Sequence, residues 1–185
     1  MPLPMNNIYT AEEYRNINNL PERCELIEGE IVAMSPAPNY MHQRLSGDIF
    51  FSIKDYIRRN KGKCQVFAAP ADVKLNECTV VQPDIFVTFH PERIDGQYHN
   101  GAPEWVIEIS SPSTADRDNN EKLRLYKENG VQEYWLVDPE RRHTIVYCFG
   151  ERTSIDFYDF DRIITADIYK DNAERLEICI EEYLE

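Results

Sequence analysis

Two acids stand where acids are costly. Asp84 interrupts the run "VVQPDIFVTF" and Glu108 the run "EWVIEIS", both otherwise rich in the β-branched and aromatic residues of buried strands. A carboxylate is tolerated in such a place when something pairs with it. Side chains alternate along a strand, so Trp105, Ile107 and Ile109 share one face and Val106, Glu108 and Ser110 the other. Asp84, Phe86 and Thr88 likewise oppose Ile85, Val87 and Phe89. Pro83 has no amide to give to a ladder and marks an edge, a bulge or the strand's entry, so a bend there aims Asp84 out of the sheet. If the two strands are neighbours the acids converge, and close carboxylates repel unless a cation or a shared proton relieves them. A hard divalent ion is one such relief. The alternative is a sheet with one solvated face on which both acids merely sit.

A cation follows in "TADRDNNEKLRLYKENG", where Asp118, Lys122 and Tyr126 fall on one helical stripe and Leu123 and Tyr126 form the packing edge. From there Lys122 can reach over the sheet toward the acids, or it can form an exposed pair with Asp118. His42 and Glu25 are further candidates. His42 near a helix start is either a ligand or a hydrogen-bonded histidine, and Glu25 either joins the acids or serves a hairpin edge. His90, His99 and His143 fall in loop or turn contexts and receive no role.

The elements that must position these residues are legible in outline. "YTAEEYRNI" carries a capping box, Thr10 with Glu13, and Pro21 is expected to end the short helix that it opens. "CELIEGEIVAMSP" reads as a hairpin about Glu28-Gly29. In "NYMHQRLSGDIFFSIKDYIRRN" Leu45, Ile49, Ile53 and Ile57 recur every four residues, the pattern of a long amphipathic helix, with Gly62 soon after its basic end. Three strands are expected in "CQVFAAPADVKL", "VVQPDIFVTF" and "PEWVIEISS". A second helix follows, capped by Thr114 or Asp116 and stopped by Gly130. "VQEYWLVDPERRHTIVYCF" reads as two strands joined by a turn at Asp138-Pro139, and the tail holds short β-like runs. The order predicts an α/β fold around one mixed sheet, in a single domain spanning residues 1–185.

Composition narrows the function. A chain of 185 residues, 42% hydrophobic, supports one sizeable core. A start without the basic-then-apolar design of a secretory signal, and no apolar run of membrane-spanning length, lead us to expect a cytoplasmic protein with no membrane partner. The five scattered cysteines, with no C-x-x-C pair, are expected to be reduced. A net charge of -13 opposes coating of nucleic acid by bulk electrostatics. Any nucleic-acid contact must be local, and "RRNKGK" (Arg58, Arg59, Lys61, Lys63) is either such a patch or an ordinary solvated helix end.

An acid after proline on one strand, an acid on the next and a lysine nearby resemble the PD-(D/E)XK nuclease superfamily. More closely, "CELIEGEIVAMSP", "MHQRL", "VQPDIFV", "APEWVIEISSPST" and "DRDNNEKLRLYKENGVQEYWLVDP" resemble the bacterial family of Uma-type endonucleases, over about Tyr9 to Tyr147. The resemblance implies a restriction-endonuclease-like core, a mixed β-sheet flanked by helices with extra β-hairpins. It implies that Asp84, Glu108 and the main-chain carbonyl of Ile109 bind Mg2+ or Mn2+, with His42 and Glu25 as additional candidates. Where the superfamily motif has lysine, two residues after Glu108, this chain has Ser110, and Lys122 is the matching substitute. The implied activity is metal-dependent hydrolysis of DNA by Asp84, Glu108 and Lys122 in a homodimer. Two rivals remain: a non-catalytic nucleic-acid-binding or assembly module of the same fold, and a hydrolase of another small phosphorylated substrate.

Overall fold

A computed structural model describes residues 8–21, 23–34, 39–110, 118–150 and 153–184. Helix α1 (Ala11–Asn16) opens on the expected box: Thr10 Oγ1 accepts from the Glu13 amide at 3.2 Å while Glu13 accepts from the Thr10 amide at 2.8 Å. It ends at Asn16, well before Pro21, once the Ile17 amide has turned to the Tyr14 carbonyl. The hairpin of β1 (Cys24–Ile27) and β2 (Glu30–Ala33) turns at Glu28-Gly29, both with positive φ, a conformation that glycine adopts without strain. Helix α2 (Tyr40–Arg59) is capped by Asn39 and buries Leu45, Ile49, Ile53 and Tyr56 along one stripe.

The middle of the chain departs from the expected three strands. Each of the first two runs is broken at its proline: β3 (Gln65–Ala68) and β4 (Asp72–Asn76) flank Pro70, and β5 (Thr79–Val81) and β6 (Ile85–Thr88) flank Pro83. Because β3 pairs antiparallel with β6 and β4 with β5, this stretch is one long hairpin bent across both arms. The bends fall where proline cannot donate a ladder hydrogen bond. The near half stays in one sheet and the far half enters another.

The remaining strands are β7 (Tyr98–Asn100), β8 (Trp105–Ile109), β9 (Glu133–Asp138), β10 (His143–Cys148), β11 (Ser154–Asp159), β12 (Ile163–Thr165) and β13 (Glu177–Cys179). A six-stranded mixed sheet runs β11-β10-β9-β8-β6-β3 and a five-stranded one β2-β1-β5-β4-β7, while β12 and β13 form a separate pair. One mixed sheet was expected; the bent hairpin makes two. Strands β8 and β9 are parallel, so the chain between them must cross over. That crossover carries a π-helical turn (Asp118–Lys122) running into α3 (Leu123–Asn129), which Gly130 stops at φ 95°. Thr114 and Asp116 lie outside the described residues. The turn between β9 and β10 forms as expected, with Asp138 Oδ1 accepting from the Glu140 and Arg141 amides.

The large sheet is covered on both faces. On one, Trp105, Ile107, Ile109, Trp135 and Val137 pack against α2 and the β12–β13 tail. On the other, Phe86, Val106, Tyr134 and Leu136 pack with Leu125 and Tyr126 of α3 and Val73 and Val81 of the small sheet. Helix α1 covers the far side of the small sheet through Ala11 and Tyr14. His99, expected in a loop, lies buried in β7 between Thr88 Oγ1 and the Gly101 carbonyl at 2.8 and 2.9 Å. All five cysteines are unpaired. Among the described residues no helix is long and apolar enough to cross a membrane.

Candidate functional site

Strands β6 and β8 are antiparallel neighbours, with Ile85 opposite Ile107 and Phe86 opposite Val106. Continuing that register one residue past the start of β6 puts Asp84 opposite Glu108. Direct contacts agree: the Ile109 amide donates to Asp84 Oδ2 at 2.8 Å, and the Asp84 amide approaches Glu108 Oε2 at 3.4 Å. The Asp84 carbonyl still accepts from the Ala69 amide at 2.9 Å, so its backbone stays tied to β3 just after the bend at Pro83. Neither acid sits on a solvated face, since the Asp84 side chain is 17% exposed and that of Glu108 4%.

The crossover supplies the cation. Lys122 Nζ donates to Glu108 Oε1 at 2.8 Å and lies 3.4 Å from Glu25 Oε1. Lys122 is 5% exposed, so it is buried in the cluster rather than held out on a solvated helix face. Tyr126, one helical turn on, donates its phenol to the same Glu108 oxygen at 2.6 Å. Burial, and then the charges of Glu108 and Glu25, push that phenol well above its ordinary value, so it stays a donor. The alternation of β8 predicts which face Glu108 takes, and a four-residue step puts Lys122 and Tyr126 on one helix face. Sequence reasoning took Tyr126 for packing alone; its place on the Lys122 stripe was the available signal.

Two more side chains complete the cluster. His42, in the first turn of α2, reaches Asp84 Oδ2 through Nε2 at 3.0 Å, and its Nδ1 is buried with no hydrogen-bond partner among the described residues. Glu25 of β1 is 1% exposed and accepts from the Gln82 amide at 2.9 Å. Burial acts to raise the Asp84 carboxyl, but the hydrogen bond and charge of His42, the Ile109 amide and the charge of Lys122 together hold it below its usual value. Asp84 is therefore ionised at neutral pH. Ser110, just past the end of β8, is buried.

The donor set bears on the implied cation. Asp84 and Glu108 are hard oxygen donors held in neighbouring register, and magnesium is commonly bound by one or two carboxylates, with waters and phosphate oxygens completing its shell. The residues present fit such an ion. Among the described residues no three His, Cys, Asp or Glu side chains are grouped to hold a metal unaided. His42 and Glu25 meet the cluster through Asp84 and Lys122, and Ile109 meets it through its amide.

The Uma2 family model, described as a putative restriction endonuclease, matches residues 11–171. No curated protein matches the sequence. Among solved structures, the fold is similar to that of a putative nuclease belonging to DUF820 from Anabaena variabilis, with a TM-score of 0.75 and 21% identity over 94% of this chain and 96% of that one.

Proposed function

The chain belongs to the Uma2 family of putative restriction endonucleases, and from that membership we propose that it is a divalent-metal-dependent endonuclease that hydrolyses phosphodiester bonds of DNA. The observation that carries the reading is the pairing of Asp84 with Glu108 across two neighbouring strands, with Lys122 seated on Glu108. Asp84 and Glu108 are the residues that would hold Mg2+ or Mn2+, with the Ile109 carbonyl as a third donor. Such an ion would supply Lewis acidity at a phosphate oxygen and would lower the pKa of a bound water so that it gives up a proton and serves as the nucleophile. His42 orients Asp84 through Oδ2, and Tyr126 fixes Glu108 through Oε1. Lys122 takes the place of the lysine missing at Ser110 and steadies negative charge that develops on the phosphate. A homodimer would present two such sites to the two strands of a duplex.

Plasmid nicking tests the proposal. The wild type is expected to relax supercoiled DNA with Mg2+ or Mn2+ and to stop with EDTA, and Asp84→Ala and Glu108→Ala are each expected to slow it by more than about 100-fold. Ser110 and the burial of Lys122 between two glutamates favour the rival reading, a non-catalytic binding module. Binding of duplex without nicking under either metal would establish that rival. Retention of manganese through both acids with no affinity for nucleic acid would point instead to a small phosphorylated substrate.

A further inference from the structure

The outward face of α2 has a composition unlike the rest of this acidic chain. Tyr40, Arg44, Gly47, Phe51, Lys54 and Arg58 follow one another at steps of four and three, which places them on a single helical stripe. All six are exposed. Tyr40 is 96% exposed and Phe51 67%, on a helix whose opposite stripe is buried to near zero. A Cβ built on Gly47 meets nothing within 4 Å, so the surface between the two rings is open.

We propose that this face is a track for single-stranded nucleic acid leading away from the Asp84–Glu108 site, a reading that rests on the proposed nuclease function and names the form of its substrate. Charge complementarity identifies the occupant. The whole chain carries -13, yet this stripe holds three cations and no acid. A polyanion is the partner such a local patch selects. Asp48 and Asp55 flank the stripe and pair with Arg44 at 3.9 Å and with Arg58 at 2.7 Å. Exposed pairs of this kind are weak and yield to a phosphate. The Lys54 amine lies over the Phe50 ring, 5.2 Å from its centroid, on an exposed residue with no ion-pair partner among the described residues.

The rings select single strands over duplex. Exposed aromatics interleaved with cations stack unpaired bases, whereas in a duplex the base faces are already stacked on one another. The helix also gives the track a direction. His42 in its first turn touches Asp84, so the N-terminal end lies at the site. From Tyr40 to Arg58 the stripe extends about 27 Å. It ends at a groove of about 560 Å³ between α2 and the edge strand β3, where Lys54, Arg58 and Lys61 rim Ile57, Val66 and Phe67.

Fluorescence anisotropy in EDTA, with a labelled twelve-residue oligothymidylate and a duplex of equal length, tests the track without cleavage. The wild type should bind the single strand more tightly. Tyr40→Ala with Phe51→Ala should weaken that binding at least about tenfold. Arg44→Ala, Lys54→Ala and Arg58→Ala combined should lower the salt slope of log affinity by about 2. All the substituted side chains are exposed, and circular dichroism checks that the variants fold. Equal binding by the aromatic double variant, or equal preference for duplex, would overturn the track. So would a double variant that turns a sedimenting dimer into a monomer with oligonucleotide binding unchanged, because the face would then belong to a second copy of the chain. Failure of the wild type to bind either probe sinks the track too, while plasmid nicking decides separately whether the Asp84–Glu108 site cuts.

Discussion

Glu108 and Glu133 lie on adjacent parallel strands of the same sheet, both are buried, and they have opposite fates. Glu108 faces α3, where an ammonium and a phenol meet one of its oxygens and Asp84 approaches the other. Glu133 faces the α2 side, where it accepts from neutral groups, the Trp135 indole at 2.7 Å, the Ile168 amide at 2.9 Å and the Asp167 amide. Burial raises the Glu133 carboxyl to about 7, and those three N–H donors offset only part of the rise. A buried acid in a strand is thus no mark of function by itself. What sets Glu108 apart is a second acid opposite it and a cation delivered from another element. Glu133 ties the β12–β13 tail to the sheet; Glu108 gathers a charged cluster.

Breaking the charged side should have the largest effect. Lys122→Met leaves Glu108 and Glu25 buried without their ammonium and is expected to cost about 3–5 kcal/mol of stability in urea unfolding. An unchanged urea midpoint would mean that Lys122 does not hold the cluster together. The neutral side should respond to pH instead. The folded pKa of Glu133 is raised, so its contribution is fully present below about 4.5, the unfolded value, and is lost as pH rises through about 7. Between those values the unfolded chain has released a proton that the folded chain keeps, and the loss amounts to about 3 kcal/mol. Glu133→Gln should flatten this part of the stability curve, which urea midpoints from pH 4 to pH 8 for both proteins would reveal. A difference curve with no slope there would remove the contrast. The smallest effect sharpens it further: Tyr126→Phe removes one donor to Glu108, costs about 1–2 kcal/mol and weakens manganese binding about tenfold by calorimetry. Trp135→Phe, the parallel change at Glu133, should leave manganese affinity untouched.

Much of this was legible beforehand because it is local. Capping at Thr10, the Glu28-Gly29 turn, the buried stripe of α2, the left-handed stop at Gly130 and the turn at Asp138-Pro139 each depend on residues a few places apart. The strands of the bent hairpin were not. Pro70 and Pro83 were visible, but a proline that ends a strand and one that sends the chain into a second sheet look alike until the partner strands are known.

The sequence by itself determined which residue types were available and which face of each element they take. Alternation put Glu108 away from Trp105 and Ile107, and a helical step put Tyr126 beneath Lys122. Only the tertiary structure decided which acid receives the cation, because the partners Glu25, Asp84, Glu108 and Lys122 come from four separate elements. Coulomb attraction and desolvation change steeply over a few ångströms, and distances of that size between remote segments are fixed by strand order and by the parallel crossover, which no local pattern encodes.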